Sequence, residues 1–468
     1  MNSKRLFALG GSLLIGFAAL GEPIHAESDS DLSVRLERAE ARLVELEAKQ
    51  NDSWMTERRT EEFKTLIAEV LADADTRASM LQGHALAGHN GKNFYLTDAS
   101  NSFLLQVAGQ VQIRHSYNNR DDDSATAAQI DEDEGGFQVR RAKLQFSGHV
   151  ADPRLNYSIA LASDRNTNNV SLEDVTVSYQ MYDWLTVEGG RGKLPFLREE
   201  LTSSSSQLAA ERSSVNEFFT TDRGEGLWLH IHNSESDWIK GVIAISDGAN
   251  SGNVGGGNDF DQDRTDFSVT GRADIKVSGD WGQMNDFSAW SGEPTAVFLG
   301  GAIHWEVGEA GDNAFVNDPD YLAWTVDASF ENEGLNLYAA YVGTEVDYQA
   351  AAPPNDEQHN GWVVQGGYMV IPDKFEPFAR YEYINVAGIS DDVHILTVGG
   401  NWYLNKHAAK ITVDLVYAMD ALNTINNSVV GASVGLGQDG TSSGLGLRPD
   451  DGNEDGQVAL RAQLQLLF

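Results

Sequence analysis

The last twelve residues of the chain alternate between apolar and polar positions with a period of two. One face of an extended strand would carry the apolar positions, which are Val458, Leu460, Ala462, Leu464, Leu466 and Phe468. The opposite face would carry Arg461, Gln463 and Gln465. A strand of this kind separates an apolar medium from a wet one. It fits the last strand of a soluble β-sandwich or the closing strand of an outer-membrane barrel.

The same period recurs in many stretches from Phe103 onward, and together they predict about sixteen strands, an even number as in single-chain bacterial barrels. Short turns, such as residues 331–334 and 405–406, alternate with long acidic or glycine-rich loops, such as residues 250–263 and 423–456. A soluble sandwich rarely needs so many strands. We therefore predict an all-β fold, a transmembrane antiparallel β-barrel over residues 95–468.

Residues 194–222 interrupt this rhythm. The stretch contains four consecutive serines, residues 203–206, and mixed charge, but few β-branched residues. It is too long for an ordinary turn, and long loops in compact folds are often functional.

The N-terminal part follows other patterns. Lys4 and Arg5 precede an apolar run that is too short to span a membrane, and Ala26 ends a plausible cleavage site. We predict a signal peptide over residues 1–26, with an uncleaved anchor as the alternative. Residues 27–82 carry short heptads, which predict a coiled coil or a single amphipathic helix. Residues 83–94 read as a linker.

Composition narrows the class of protein. The 468 residues carry a formal net charge of −37, which argues against nucleic acid as a partner. After the signal, no run reaches the ~18–20 apolar residues that a membrane helix needs. The chain has no cysteine, which fits an envelope protein. We predict neither a metal site nor a cofactor.

Alternation also predicts which charged side chains face the lumen. They are Arg114, Arg141, Lys143, Arg272, Asp274, Lys276, Arg380, Glu382 and Arg461. Basic residues outnumber acidic ones in this set, which suggests a preference for anions. The same alternation puts Arg140 on the lipid side, with Leu144.

Five motifs then suggest a family. They are Phe137-Gln-Val-Arg-Arg-Ala-Lys-Leu, Gly192-Lys-Leu-Pro-Phe-Leu-Arg-Glu-Glu-Leu-Thr-Ser-Ser, Glu211-Arg, Asp222-Arg-Gly-Glu-Gly and Asn401-Trp-Tyr-Leu-Asn. In their order and spacing the chain resembles the phosphate-selective porin O and P family over about residues 95–468. The resemblance implies a homotrimer of sixteen-stranded barrels in the bacterial outer membrane. It also implies that residues 194–222 fold inward and narrow the pore.

The resemblance further implies which residues contact the solute. These are Arg140, Arg141, Arg212, Ser203, Ser204 and, as the acidic member, Asp174. Guanidinium groups can bind phosphate oxygens in pairs, and hydroxyls can donate further hydrogen bonds. The chain departs from the family at Glu200, where the resemblance expects a lysine, and a carboxylate there repels phosphate. We expect Glu200, Lys143 and Arg223 to modify selectivity.

Three functions remain open at this point. The first is passive diffusion of small hydrophilic solutes, preferring anions such as phosphate or only weakly selective. The second is a structural or adhesive barrel that uses its acidic loops, with a periplasmic coiled coil that touches the cell wall. The third is an enzyme built on Ser203–Ser206 and a histidine such as His230, but no spacing in the sequence supports it.

Overall fold

A computed structural model describes the chain over residues 86–120, 133–163, 169–232, 237–249, 265–308, 320–347, 357–387, 392–420, 445–447 and 456–468. The predicted signal peptide and coiled coil lie outside these residues. Within them, no helix combines the length and the hydropathy that a membrane crossing requires.

The described residues form one antiparallel sheet, in which each strand from β3 to β18 pairs with the next strand along the chain. Its strands are β1 (Leu86–His89), β2 (Phe94–Thr97), β3 (Phe103–Asn119), β4 (Asp133–Val150), β5 (Asp152–Ser163), β6 (Val170–Tyr182), β7 (Leu185–Lys193), β8 (Arg223–His232), β9 (Ile239–Ser246), β10 (Thr265–Ser278), β11 (Ala296–Gly308), β12 (Asp320–Asn332), β13 (Leu335–Asp347), β14 (Glu357–Tyr368), β15 (Phe375–Asn385), β16 (Val393–Asn405), β17 (Ala409–Ala418) and β18 (Gln457–Leu467).

The sheet closes on itself because β18 pairs with β3, with Leu464 opposite Ile113. The backbone N–H of Phe468 donates to the carbonyl of Gly109 at 3.1 Å, and the N–H of Gly109 donates back at 2.6 Å. Strands β3–β18 therefore form a closed barrel of sixteen strands, which confirms the predicted fold.

A small hairpin precedes the barrel. Strand β1 pairs with β2, and β2 pairs with β3 from Leu104 to Val107, beyond the last pair that β3 makes with β18. The stretch that the sequence predicted as a linker thus contains strands. The prediction missed them because each strand has only four residues, too few for a clear alternation.

The alternation of side chains separates an apolar outer face from a polar lumen. On β12, Val326 is 59% exposed, whereas its neighbours Thr325 and Asp327 are 2% and 6% exposed. Leu227, Leu464 and other large apolar residues on the same outer face are likewise exposed. An exposed apolar band on the outside of a closed barrel is the surface that meets lipid.

Residues 194–222, here called the constriction loop, fold into the lumen between β7 and β8. The loop contains two short helices, α1 (Arg198–Leu201) and α2 (Ser214–Phe219). Its apolar side chains, including Phe196, Leu208 and Phe219, are buried in one cluster with residues of the barrel wall. Burial of these side chains holds the loop against the inner wall and confirms the predicted inward fold.

A second segment, residues 279–295 between β10 and β11, also packs inside the barrel. It contains a 3-10 helix, Trp281–Asn285. Phe287 is buried with its ring 4.8 Å from that of Tyr338, and the hydroxyl of Ser288 donates to Glu376 at 3.1 Å. The guanidinium of Arg198 lies 5.5 Å from the ring of Phe287, so this segment contacts the constriction loop.

Close strand packing explains the second glycine, Gly226, in the motif Asp222-Arg-Gly-Glu-Gly. A Cβ added to Gly226 would lie 2.2 Å from the carbonyl oxygen of Ile245 and 2.8 Å from the Cα of Ser246. Both atoms belong to the backbone of the neighbouring strand, so they cannot rotate away. Position 226 therefore requires glycine.

We expect Gly226→Ala to destabilise the barrel by about 1–3 kcal/mol, because the added methyl group overpacks the β8–β9 pair. The measurement is the urea midpoint of the folded barrel in detergent micelles. Gly271→Ala is the matched control, since a Cβ at Gly271 meets no atom within 4 Å. Equal midpoints for the two variants would contradict this explanation.

Candidate constriction site

A β-bulge on β4 turns both tandem arginines into the lumen. Arg141 pairs with Gln112 and Val139 with the adjacent Ile113, so Arg140 is an extra residue without a counterpart on β3. The prediction that Arg140 faces lipid was wrong, because it assumed unbroken alternation. Arg140 and Arg141 both contact the carboxylate of Glu211 on the constriction loop.

A second bulge, on β6, likewise turns two adjacent carboxylates, those of Glu173 and Asp174, toward the lumen. Asp174 pairs with Ala160 and Leu172 with the adjacent Leu161, so Glu173 is the extra residue. Glu173 binds Lys143 at 2.5 Å and Arg223 at 3.1 Å. Asp174 binds the same Arg223 at 2.6 Å. The bulge therefore gives Arg223 two carboxylate partners from a single strand.

Glu211 is held by three guanidinium groups. Arg141 binds it in a bidentate manner, at 2.7 Å and 3.0 Å, and Arg114 donates at 2.6 Å. The third donor is the Nε of Arg140. Burial opposes ionisation of Glu211, but the three arginines outweigh it and hold the pKa of this carboxyl well below its usual range.

Glu200 is paired as well, although the resemblance expected a lysine at its position. Its carboxylate lies 3.3 Å from the Nζ of Lys193 and 3.3 Å from the Nε of Arg212, and it accepts from the amide of Asn216 at 3.0 Å. Burial opposes ionisation here too, but Arg212 and Lys193 lower the pKa of Glu200 to about 2. Glu200 is therefore a charged partner of two cations.

Arg212 and the serine pair also bind parts of the protein. Arg212 donates to the carbonyl oxygens of Glu199 and Thr202 at 3.0 Å and 2.9 Å. The hydroxyl of Ser204 accepts from the amide of Gln110 at 3.1 Å. Ser203 is exposed, and its hydroxyl lies 2.8 Å from that of Ser205.

Ion pairs also join most of the other lumen charges that alternation predicted. Arg272 binds Asp327 at 2.8 Å, and Arg461 binds Asp414 at 2.7 Å. Arg380 binds Glu382 at 2.7 Å. Asp327 on β12 and Asp414 on β17 face the lumen too, although the sequence analysis did not include them among the lumen charges. With these acids included, the excess of basic residues is smaller than predicted.

Glu211 is the main residue that sequence reasoning missed. Its motif with Arg212 was recognised, but local patterns contain no signal for the contact between a loop and a distant strand. Among the described residues, no group of three or more histidine and acidic side chains is placed to hold a metal ion.

A closed sixteen-stranded barrel with an apolar exterior and a polar lumen, narrowed by a loop, has the architecture of an outer-membrane channel. The sequence model of the family described as phosphate-selective porin O and P matches residues 110–432, and the chain belongs to this family. It is thus an outer-membrane porin.

Two known proteins illustrate the similarity. An uncharacterized protein of Aquifex aeolicus (strain VF5) is 26% identical over 323 residues, which cover 58% of this chain and 73% of the relative. The structure of the anion-selective porin from Comamonas acidovorans is similar with a TM-score of 0.50 and 14% identity, covering 78% of this chain and 99% of that porin. At that identity the similarity concerns the fold alone.

We expect Glu200→Gln to lower stability at neutral pH by about 1–3 kcal/mol, because Lys193 and Arg212 lose a buried partner. The folded pKa of about 2 lies below the unfolded value of about 4.3. The contribution of Glu200 is therefore complete above about pH 4.3 and is lost as the pH falls through 2. The measurement is urea unfolding in detergent at several pH values.

The control for this prediction is Glu345→Gln, since Glu345 is exposed on β13. The two variants should converge in stability as the pH approaches 2. A difference that stayed constant across the acid range would show that the ion pairs of Glu200 are not its cause.

Proposed function

We propose that the protein is a passive diffusion channel for small hydrophilic solutes with a weak preference for anions. The observation that carries this proposal is the contact of Arg114, Arg140 and Arg141 with Glu211. Guanidinium groups that would bind an anionic solute already bind a carboxylate of the protein. A passing anion therefore meets arginines whose charge is partly balanced.

The charges around the constriction nearly cancel. The cations are Arg114, Arg140, Arg141, Lys143, Lys193, Arg212 and Arg223. The carboxylates are Glu173, Asp174, Glu200, Glu211, Glu217 and Asp222. Because the cations exceed the carboxylates by one, the sign of the preference favours anions, but its strength is small.

Tight binding of phosphate needs one further step under this proposal. A phosphate ion would have to displace the carboxylate of Glu211 from the three arginines. Because Glu211 is held by the loop, its carboxylate has a high effective concentration at the arginines and competes with phosphate for them. Ser203, Ser204, Arg212 and Asp174 would then act as secondary contacts. Lys143 and Arg223 would tune the local charge through Glu173.

The assembly is also a proposal. We infer a homotrimer, a cleaved signal peptide over residues 1–26 and a periplasmic coiled coil over residues 27–82. A parallel three-stranded coil would match the symmetry of a trimeric barrel. Cross-linking of the purified protein in detergent, with and without residues 27–82, tests whether the coil contributes to the trimer.

The function is tested in planar bilayers through the reversal potential in a salt gradient and through block by phosphate. We expect the wild type to conduct with a weak preference for chloride, and to be blocked only at high phosphate. Glu211→Gln should lower the phosphate concentration for half block by about tenfold or more, because a bidentate arginine site becomes available.

Glu188→Gln is the matched control, since Glu188 lies on β7 near His230 and its ion pairs do not include these arginines. It removes one carboxylate from the barrel without releasing an arginine of the Glu211 cluster. Equal block in both variants would attribute the effect to net charge. Cation selectivity of the wild type, or no conductance, would overturn the proposed function.

A further inference from the structure

Glu217 differs from the other acidic residues of the constriction loop in its position. On helix α2, Val215, Phe218 and Phe219 form one buried face that packs into the apolar cluster. With about 100° per residue, Glu217 lies on the opposite side of the helix. Its side chain is half-buried and faces away from that cluster.

Glu217 also differs in its contacts. Within the described part of the loop, Glu200, Glu211 and Asp222 are in ion pairs, and Glu199 accepts hydrogen bonds from Ser213. The carboxylate of Glu217 has no ion pair and no side-chain hydrogen bond among the residues that the structure describes. Its charge is therefore not cancelled by a bound cation.

Charged groups of both signs surround Glu217. Glu200, Glu211 and Arg212 come from the loop, and Arg140 and Arg141 come from β4. Burial and the charges of Glu211 and Glu200 raise the pKa of Glu217 to about 7, against the opposing effect of Arg212 and Arg140. The group thus titrates near neutral pH.

We propose that Glu217 is the residue that sets the ion preference of the constriction and makes it depend on pH. This inference rests on the proposed function, because it assumes that ions pass the loop. The paired carboxylates present little net charge to a passing ion, whereas an ionised Glu217 repels anions and attracts cations. Protonation of Glu217 increases the excess of cations around the constriction, so the preference for anions increases as the pH falls through 7.

The test is the ratio of chloride to potassium permeability at pH about 5 and about 9 in planar bilayers. A single charge met at about 6 Å in water changes the local concentration of a monovalent ion by roughly threefold. Because the charge changes the chloride and potassium concentrations in opposite directions, the wild-type ratio should be roughly tenfold higher at the acid pH. Glu217→Gln should keep the acid ratio at both pH values, whereas Glu217→Asp should retain the dependence.

Glu188→Gln serves again as the control and should retain the pH dependence, because Glu188 lies on a barrel strand outside the loop. An unchanged pH dependence in Glu217→Gln would overturn the inference while leaving the proposed diffusion channel intact. A wild type without conductance would overturn both. A Glu217→Asp variant that conducts but has lost the dependence would also contradict the role of the carboxylate.

Discussion

The buried ion cluster of Glu211 with Arg114, Arg140 and Arg141 is the interaction on which the constriction depends. The apolar residues of the loop bring this carboxylate to the wall, where water is excluded. An unpaired charge in such a place costs several kcal/mol, and removing one partner of a buried pair leaves that cost uncompensated. Loop and wall therefore stabilise each other, and a solute can take the place of the carboxylate only if it supplies equivalent oxygen atoms.

Two β-bulges allow adjacent charged residues to form ion pairs inside the barrel, although the sheet otherwise exposes every second residue to lipid. A regular strand can place only one of two adjacent residues in the lumen. The extra residues Arg140 on β4 and Glu173 on β6 remove that restriction, so that two adjacent charged residues on each of these strands reach partners inside the barrel. The cations and carboxylates then meet across neighbouring strands, as in the contact of Lys143 with Glu173.

The sequence predicted the parts of the fold that have a local signal. Alternation identified the sixteen strands and the closing strand at Phe468, and the loss of alternation marked the loop. It misplaced Arg140 because a bulge has no signature in the pattern of apolar residues. It also missed the role of Glu211 and the inward packing of residues 279–295, since both depend on contacts between segments far apart in the chain.

The net charge of −37 belongs to the whole chain and does not by itself define the charge that an ion meets at the constriction. Two opposite charges in contact produce a field that weakens with distance much faster than that of a single charge, and salt screens what remains. A passing ion therefore responds mainly to groups that lack a partner. Glu200 and Glu211 are both bound by cations. In such a constriction, one unpaired carboxylate can affect a passing ion more than several paired charged residues do.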